Sequence, residues 1–324
     1  VITATTDPEK RYTISDVFDG TRFRSVSLSP NGKYLLTSYQ TTYPGGQTAS
    51  FQQITDKTNG QVLMESSTNN FSWMPQCNRL YYTRKGLQGK ELVTIDPVTK
   101  AETILSQNLP DGWFSIAPTE DFLIFTISEK GPEKDKDMEE ILVPDDRQPG
   151  WRNRSFLHKY DLATGVLERL TYGHNSTSLN DISKDGRYLL FTSSRRELTK
   201  RPFSTKILYR MDLQNRQVDT LLEDPFINYA SFSPDGKQLA VSGSGEAFNK
   251  IGLNIAPGQT SNLADGQLFI YDLSNKQATA VSKDFNPSIQ SFTWNTGDKQ
   301  IYLQGEDKDC VRLYTLNPAN GKIS

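Results

Sequence analysis

One pattern of apolar and polar positions recurs along the whole chain. An alternating strand ends in a tight polar turn, and a more apolar strand follows it directly, as in the segment 25–38 around Ser29-Pro-Asn-Gly32. Proline fixes φ early in such a turn and glycine accepts positive φ, so the pattern predicts a β-hairpin. Its copies occupy residues 25–38, 71–82, 114–125, 180–191, 230–241 and 292–303.

A second hairpin follows the repeated one, for example at 91–105 and 157–170. Each repeat therefore holds four predicted strands. Four-stranded repeats of about 40–50 residues are typical of β-propeller blades, and such blades bury both faces only by stacking on neighbours. We predict an all-β fold, a β-propeller of about six four-stranded WD-type blades. Trp73 and Trp294 are expected to lie in the core between blades.

The predicted organisation is one propeller domain over residues 1–324, with an N-terminal segment at 1–24. Two insertions lengthen the third and fifth repeats, at 130–154 and 246–265. The first contains Met138-Glu-Glu-Ile-Leu142, which favours a short helix before Pro144, and the second reads as a loop rich in Gly, Asn and Ser. Loops this long inside a compact domain are usually functional or mobile. The blades are predicted to start near residues 25, 71, 114, 180, 230 and 292.

Composition excludes several classes of function. The 36 basic and 38 acidic residues leave a net charge of −2, which gives no electrostatic reason to expect nucleic-acid binding. No apolar run approaches the ~20 residues that span a bilayer, so no membrane span is predicted. Cys77 and Cys310 are the only cysteines. They are too few for a disulfide framework and lack the spacing of metal ligands, so we expect isolated thiols.

Catalytic motifs are missing from the sequence. No G-x-S-x-G segment is present, so the turn that exposes a nucleophilic serine is not expected. His158 and His174 are the only histidines, too few and too scattered for a metal-dependent propeller enzyme. Asp185 and Asp235 recur because the hairpin turn favours them. We therefore predict no catalytic residue, metal or cofactor in this chain, and no enzyme activity of the chain alone.

The opening of the chain resembles a known family. Tyr12-Thr-Ile-Ser-Asp-Val-Phe18, followed by Phe23-Arg-Ser-Val-Ser-Leu-Ser-Pro-Asn-Gly32, is similar to the start of prolyl oligopeptidase family serine peptidases, in the dipeptidyl peptidase IV and acylaminoacyl-peptidase-like branch. As repeats, the resemblance covers essentially the whole chain. Propellers of this branch often have seven or eight blades, so the resemblance implies an incomplete ring of seven or eight blades as the alternative to six. TolB-like propellers share the Ser-Pro-Asp-Gly turns.

This resemblance implies a non-catalytic propeller domain of an extracytoplasmic, periplasmic or secreted, serine exopeptidase. Its partners would be a C-terminal α/β-hydrolase domain, absent from this chain, and a peptide substrate whose access the propeller controls. The alternative is a free-standing TolB-like propeller that binds a peptide or a protein.

The resemblance also directs attention to the 130–154 insertion. In dipeptidyl peptidase IV, two glutamates on a propeller insertion bind the amine of the substrate, and Glu139-Glu140 lies on an insertion here, although its neighbours do not match that motif. The run 146–154 is rich in arginine around one tryptophan and would clamp a carboxylate or brace the hydrolase domain. Solvated surface charge and local packing are the alternatives. The predicted substrate or partner-domain contacts are Glu139, Glu140, Arg147, Trp151, Arg152 and Arg154.

Overall fold

The computed structural model describes residues 13–133 and 137–324. Residues 1–12, which are half of the predicted N-terminal segment and include Tyr12 of the opening motif, lie outside the described residues, as do residues 134–136 of the first insertion. The chain divides into two compact units, 1–111 and 112–324, which are described separately. Their antiparallel sheets are numbered as blades 1 to 6 in chain order.

The first unit contains blades 1 and 2, preceded by a short helix that Thr13 caps with its side chain. Trp73 stacks on Tyr34 of the neighbouring blade with ring centroids 6.3 Å apart, so its predicted place between blades is confirmed. Leu36 and Ile54 of blade 1 share a buried cluster with Leu80 of blade 2. The elements are α1 Ile14–Phe18, β1 Gly20–Leu28, β2 Tyr34–Thr42, β3 Thr48–Asp56, β4 Val62–Ser66, β5 Ser72–Trp73, β6 Leu80–Lys85, β7 Lys90–Ile95 and β8 Glu102–Ser106.

The second unit contains blades 3 to 6. Blade 3 consists of β9 Trp113–Ile116, β10 Phe122–Glu129, β11 Arg154–Asp161 and β12 Leu167–Arg169, and blade 4 of β13 Thr177–Ile182, β14 Tyr188–Arg196, β15 Ser204–Asp212 and β16 Val218–Asp224. Blade 5 consists of β17 Ile227–Phe232, β18 Gln238–Gly243, β19 Gln267–Asp272 and β20 Ala278–Ala280, and blade 6 of β21 Ser288–Trp294, β22 Ile301–Asp307 and β23 Cys310–Leu316. Two short turns interrupt the insertions, the 3-10 helix η1 at Pro144–Arg147 and α2 at Ala247–Lys250, in which Phe248 and Asn249 have left-handed backbone angles.

Strand order confirms the predicted fold class. Five of the described sheets have four strands in consecutive order, and the sixth has three. A single bridge from Ile323 to Leu316 begins a further strand on that sixth sheet. The chain is a six-bladed β-propeller built almost entirely from β-strands. Neither cysteine forms a disulfide bond.

The second strand of blade 4, β14, is apolar on both faces over its first half because this blade lies between blades 3 and 5. In blade 4, Leu189 and Phe191 pack with Leu157 of blade 3. Leu190, between them, points the opposite way and packs with Ile227 of blade 5. Successive side chains of a strand face opposite sides, so the run Tyr-Leu-Leu-Phe supplies both interfaces.

A buried serine organises the repeated turn. Its hydroxyl donates to the side chain of the turn Asn or Asp and accepts the N–H that begins the next strand, so both hydrogen-bonding roles are used inside the turn. The three copies of this turn are Ser29 with Asn31 at 2.7 Å, Ser183 with Asp185 at 2.6 Å and Ser233 with Asp235 at 2.7 Å. Ser183 and Ser233 lower the pKa of Asp185 and Asp235. The prediction that Asp185 and Asp235 recur because they stabilise the hairpin turn is confirmed.

The short helix predicted at Met138–Leu142 is absent, and that prediction is wrong. Residues 138–143 have no regular structure, and the only helical element in the described part of this insertion is η1. The backbone groups that a helix would use are bound by side chains instead. The Glu140 carbonyl accepts from Arg152 Nη2 at 2.6 Å, and the Leu142 N–H donates to Asp146 Oδ2 at 3.2 Å. Local charge pairs therefore outweighed helix propensity.

Candidate functional site

A cavity of ≈ 580 Å³ lies in the second unit where blades 3, 4 and 5 meet. Its walls come from the end of the 130–154 insertion, from β13, from the adjoining ends of β14 and β15, and from the start of β17. Cavities of about 300–1,000 Å³ are the usual size of ligand sites. This volume admits a small molecule or a short chain segment.

The cavity forms where the β14–β15 hairpin extends beyond the apolar residues that pack between the blades. The pairing continues from Thr192–Leu208 through Ser194–Lys206 to Arg196–Ser204. Because side chains alternate along a strand, these polar residues lie on the same blade face as Leu208, which packs towards blade 5. The change from apolar to polar side chains along that face turns a packed interface into an open, hydrophilic space.

Two β-bulges supply polar groups at the base of the cavity. Asn180 is the extra residue between Leu179 and Asp181 in β13, and Asn228 is the extra residue near the start of β17. A bulge leaves the extra residue outside the ladder pairing. The Asn180 side-chain carbonyl accepts from Thr192 Oγ1 at 3.1 Å, and the Asn228 backbone carbonyl accepts from Lys206 Nζ at 2.9 Å.

The charged side chains that line the cavity are all cationic. Lys206, Arg154 and Arg196 line it, and no Asp or Glu does so among the described residues. Burial lowers the pKa of Lys206, because removal from water penalises the ammonium. Burial, with a smaller contribution from Asp181, raises the pKa of Tyr229 to about 12. The Tyr229 hydroxyl therefore stays protonated at neutral pH and remains available as a donor.

Asp181 follows the bulged Asn180 in β13 and links blade 4 to blade 5. Its two carboxylate oxygens accept the backbone N–H groups of Ile182 and Phe232, each at 2.8 Å. Phe232 belongs to blade 5, so the bond crosses the interface between blades 4 and 5. Burial raises the pKa of Asp181 although these two donors oppose the shift. Asp181 therefore fixes the bulge beside the cavity.

The insertion forms one wall through Trp151 and Arg154. Trp151 is half-buried, and the Arg154 guanidinium lies 5.3 Å from the centre of its ring. Arg154 also donates to the backbone carbonyls of His174 at 2.6 Å, Trp151 at 2.7 Å and Asn153 at 2.8 Å. An ion pair from Arg196 of β14 to Asp145 of η1 attaches the insertion to blade 4.

The other predicted contact residues lie on the insertion but not in the cavity lining. Arg152 makes a bidentate pair with the fully buried Asp146, at 2.8 and 2.6 Å. Glu139, Glu140 and Arg147 are exposed. The structure thus brings two of the six predicted residues, Trp151 and Arg154, to one site. Contact of any of the six with substrate or partner stays a prediction.

Sequence reasoning missed Lys206, Arg196 and the two bulged asparagines. The signal for Arg196 was the polar run Thr192-Ser-Ser-Arg-Arg196, which continues an apolar strand without a turn residue. Lys206 gave no such signal. Its site depends on the Asn228 carbonyl, and that carbonyl is turned towards Lys206 by a bulge in the next blade.

The histidines do not contribute to the cavity. His158 is buried in β11 with Nδ1 3.2 Å from the Phe156 carbonyl oxygen, and His174 is exposed. Within residues 13–133 and 137–324, no group of three His, Cys, Asp or Glu side chains is arranged to hold a metal ion. None of the helices in the described part of the chain has the length and hydropathy to cross a membrane.

Comparison with known proteins finds similarity of structure only. No protein-family model matches this sequence, and no curated protein sequence matches it. The β-propeller domain of the Trilobed protease from Pyrococcus furiosus superposes with a TM-score of 0.61 at 12% identity, covering 94% of this chain and 82% of that domain. The fold they share is the β-propeller.

Two whole peptidases are also similar. The acylaminoacyl peptidase of Pyrococcus horikoshii superposes with a TM-score of 0.65 at 12% identity, and a prolyl endopeptidase with 0.58 at 17%. Each match covers 94% of this chain, but the chain spans only 45% of the first peptidase and 40% of the second. At these identities the likeness shows a common fold, and the remainder of each peptidase has no counterpart in this chain.

Proposed function

We propose that this chain is the non-catalytic propeller domain of a serine exopeptidase, and that it contacts the peptide substrate and controls its access to a hydrolase domain. The observation that carries the proposal is the 130–154 insertion, which forms one wall of a peptide-sized cavity. The insertion is attached to blade 4 through Asp145 and Arg196, so movement of the insertion would change the entrance. The propeller fold shared with peptidase domains supports the same assignment.

The catalytic serine, aspartate and histidine would belong to an α/β-hydrolase domain outside this sequence. The DNA downstream of the Ser324 codon tests this directly, because such a domain carries a G-x-S-x-G segment within roughly 200 residues. Activity is then compared between this chain and the product of the complete gene on Xaa-Pro and Xaa-Ala dipeptide chromogenic substrates. We expect activity only in the complete product. Inactivity of both would favour a free-standing binding propeller.

Substrate contact is tested separately in the complete product. Trp151→Ala is expected to raise KM severalfold with little change in kcat, because binding that is equal in the ground and transition states affects KM alone. Leu313→Ala is the control, since Leu313 is 82% exposed on blade 6 and does not line the cavity. Equal kinetics for the two variants would contradict contact at this wall.

As part of the same proposal, the protein is extracytoplasmic. Only the family resemblance of the opening segment supports this location. Fractionation of the source cells tests it, and recovery of the protein in the cytoplasmic fraction would contradict it.

A further inference from the structure

We propose that the cavity between blades 3, 4 and 5 binds a carboxylate group of the peptide. This inference rests on the proposed function, because it names the chemistry that the same cavity would recognise. The shared chemistry is a peptide carboxylate, whether it comes from a free C-terminus or from an Asp or Glu side chain.

The first argument is uncompensated charge. Among the described residues, no carboxylate lies within ion-pair distance of Lys206 or Arg154, and each donates only to neutral carbonyl groups. A partly buried ammonium without a counter-ion is costly, and the lowered pKa of Lys206 reflects that cost. An anion in the cavity would remove this cost, whereas a cation would increase it.

The second argument is the nature of the neutral groups. Hydroxyls of Ser178 and Ser194 and the protonated phenol of Tyr229 line the cavity beside the two cations. A carboxylate has two oxygens that accept about four hydrogen bonds, so it uses both cationic and hydroxyl donors. Arg154 and Lys206 together supply a guanidinium and an ammonium, which bind carboxylates in different geometries.

The third argument concerns the rest of the peptide. The Trp151 ring and Leu179 give the polar cavity an apolar wall. An amphipathic tryptophan ring offers contact area for the side chain next to a bound carboxylate. The volume of ≈ 580 Å³ leaves space for that side chain as well as for the charged group.

The test measures binding of short peptides to this chain at low salt by calorimetry, with tryptophan fluorescence as a second readout. Acetyl-trialanine as the free acid is compared with its amide, and acetyl-Ala-Asp-Ala-amide with acetyl-Ala-Asn-Ala-amide. A charge-assisted hydrogen bond favours the anion by about tenfold or more. We expect that preference in at least one pair, and the pair that shows it identifies the source of the carboxylate.

Variants locate the binding. Lys206→Met and Arg154→Met are each expected to weaken binding of the preferred acid about tenfold while binding of its neutral analogue changes little. Lys237→Met is the matched control, because Lys237 is exposed in a blade 5 turn outside the cavity. Retained thermal unfolding transitions show that the variants are folded. Should Lys206→Met unfold the protein, Arg154→Met carries the test.

Equal affinity for acid and neutral peptide in both pairs would overturn the inference, and so would equal loss of binding in Lys237→Met. That failure is distinguishable from failure of the proposed function. If Trp151→Ala raises KM in the peptidase but the propeller shows no preference for carboxylates, the proposed function is supported and the carboxylate inference is wrong. If the propeller binds carboxylates but the complete product has no peptidase activity, the carboxylate inference is supported and the proposed function is wrong.

Discussion

The two halves of the β14–β15 hairpin share one continuous antiparallel pairing, but one half is packed between blades and the other borders a cavity. In the first half, Leu190 and Leu208 are completely buried between blades. In the second half, Ser194 and Lys206 form the next pair on the same face but border a cavity. Backbone geometry is continuous across the change, so the side chains alone convert an interface into a site.

This difference separates stability from binding within one element. Burial of apolar area stabilises the first half by about 25 cal/mol per Å², whereas the second half exposes hydroxyls and cations that contribute little to folding. A binding site can therefore be extended from a blade without weakening the blade, because the strand pairing already holds it.

The largest expected effect comes from breaking the packed half. Leu208→Ala should lower the free energy of unfolding by about 2–5 kcal/mol, because it leaves a cavity in a close-packed interface. Ser194→Ala, two pairs further along the hairpin, should change it by less than about 0.5 kcal/mol. Urea unfolding followed by circular dichroism measures both. Comparable losses would mean that the cavity half is structural as well.

The insertion provides the next largest effect. Asp146→Ala removes a fully buried carboxylate and leaves Arg152 unpaired, a change that costs about 3 kcal/mol when an ion pair is buried. The loss is local, so we expect residues 130–154 to be cleaved about a hundredfold faster in limited proteolysis while the blades stay protected, because about 1.4 kcal/mol corresponds to a factor of ten.

The adjacent Asp145→Ala is the matched control for that experiment. Asp145 pairs with Arg196 through two half-exposed side chains, and exposed pairs contribute only about 0–1 kcal/mol. Equal cleavage rates in the two variants would argue that Asp146 is not what holds the insertion. Slow cleavage of the insertion in the unmodified protein would show that it is packed as firmly as the blades.

The smallest effect is a difference in pH dependence between two aspartates of blade 4. Burial raises the pKa of Asp181 above its ordinary 3.8. Its contribution to stability is therefore fully present below 3.8 and is lost as the pH rises through the raised value. The Arg187 side chain, 2.8 Å from Asp212, lowers the pKa of Asp212. That contribution is present above 3.8 and is lost as the pH falls through the lowered value.

Unfolding free energies between about pH 2 and pH 7 test these opposite signs. Compared with the unmodified protein, Asp181→Asn should lose stability less steeply as the pH rises above 3.8. Asp212→Asn should lose less unfolding free energy than the unmodified protein as the pH falls below 3.8. Parallel profiles for the two variants would contradict the assigned environments.

Much of the fold could be predicted because each blade is encoded locally. The Ser-Pro-Asp-Gly turn carries its own hydrogen bonds, as Ser233 and Asp235 show, and apolar runs such as 188–191 reveal strands buried on both faces. The insertion was harder to predict. The sequence at 138–142 favours a helix, but Arg152 and Asp146 bind the backbone of this segment in a non-helical conformation. The pairing of Arg152 with Asp146 depends on the conformation of the whole segment.

The candidate site could be predicted only in part. Trp151 and Arg154 stood out as an unusual local cluster, and they do line the cavity. Nothing local distinguishes Lys206 from a solvated strand lysine, because its partner is a backbone carbonyl 22 residues away in another blade. The bulges at Asn180 and Asn228 are likewise products of pairing between strands.

The sequence by itself determined the blades, their turns and the position of the insertions, because alternation, serine-capped turns and glycine with positive φ all act within a few residues. Tertiary structure decided which of the many polar side chains share a cavity, because that depends on how neighbouring blades stack. Only stacking places the Lys206 ammonium against the Asn228 carbonyl and joins Arg196 to Asp145.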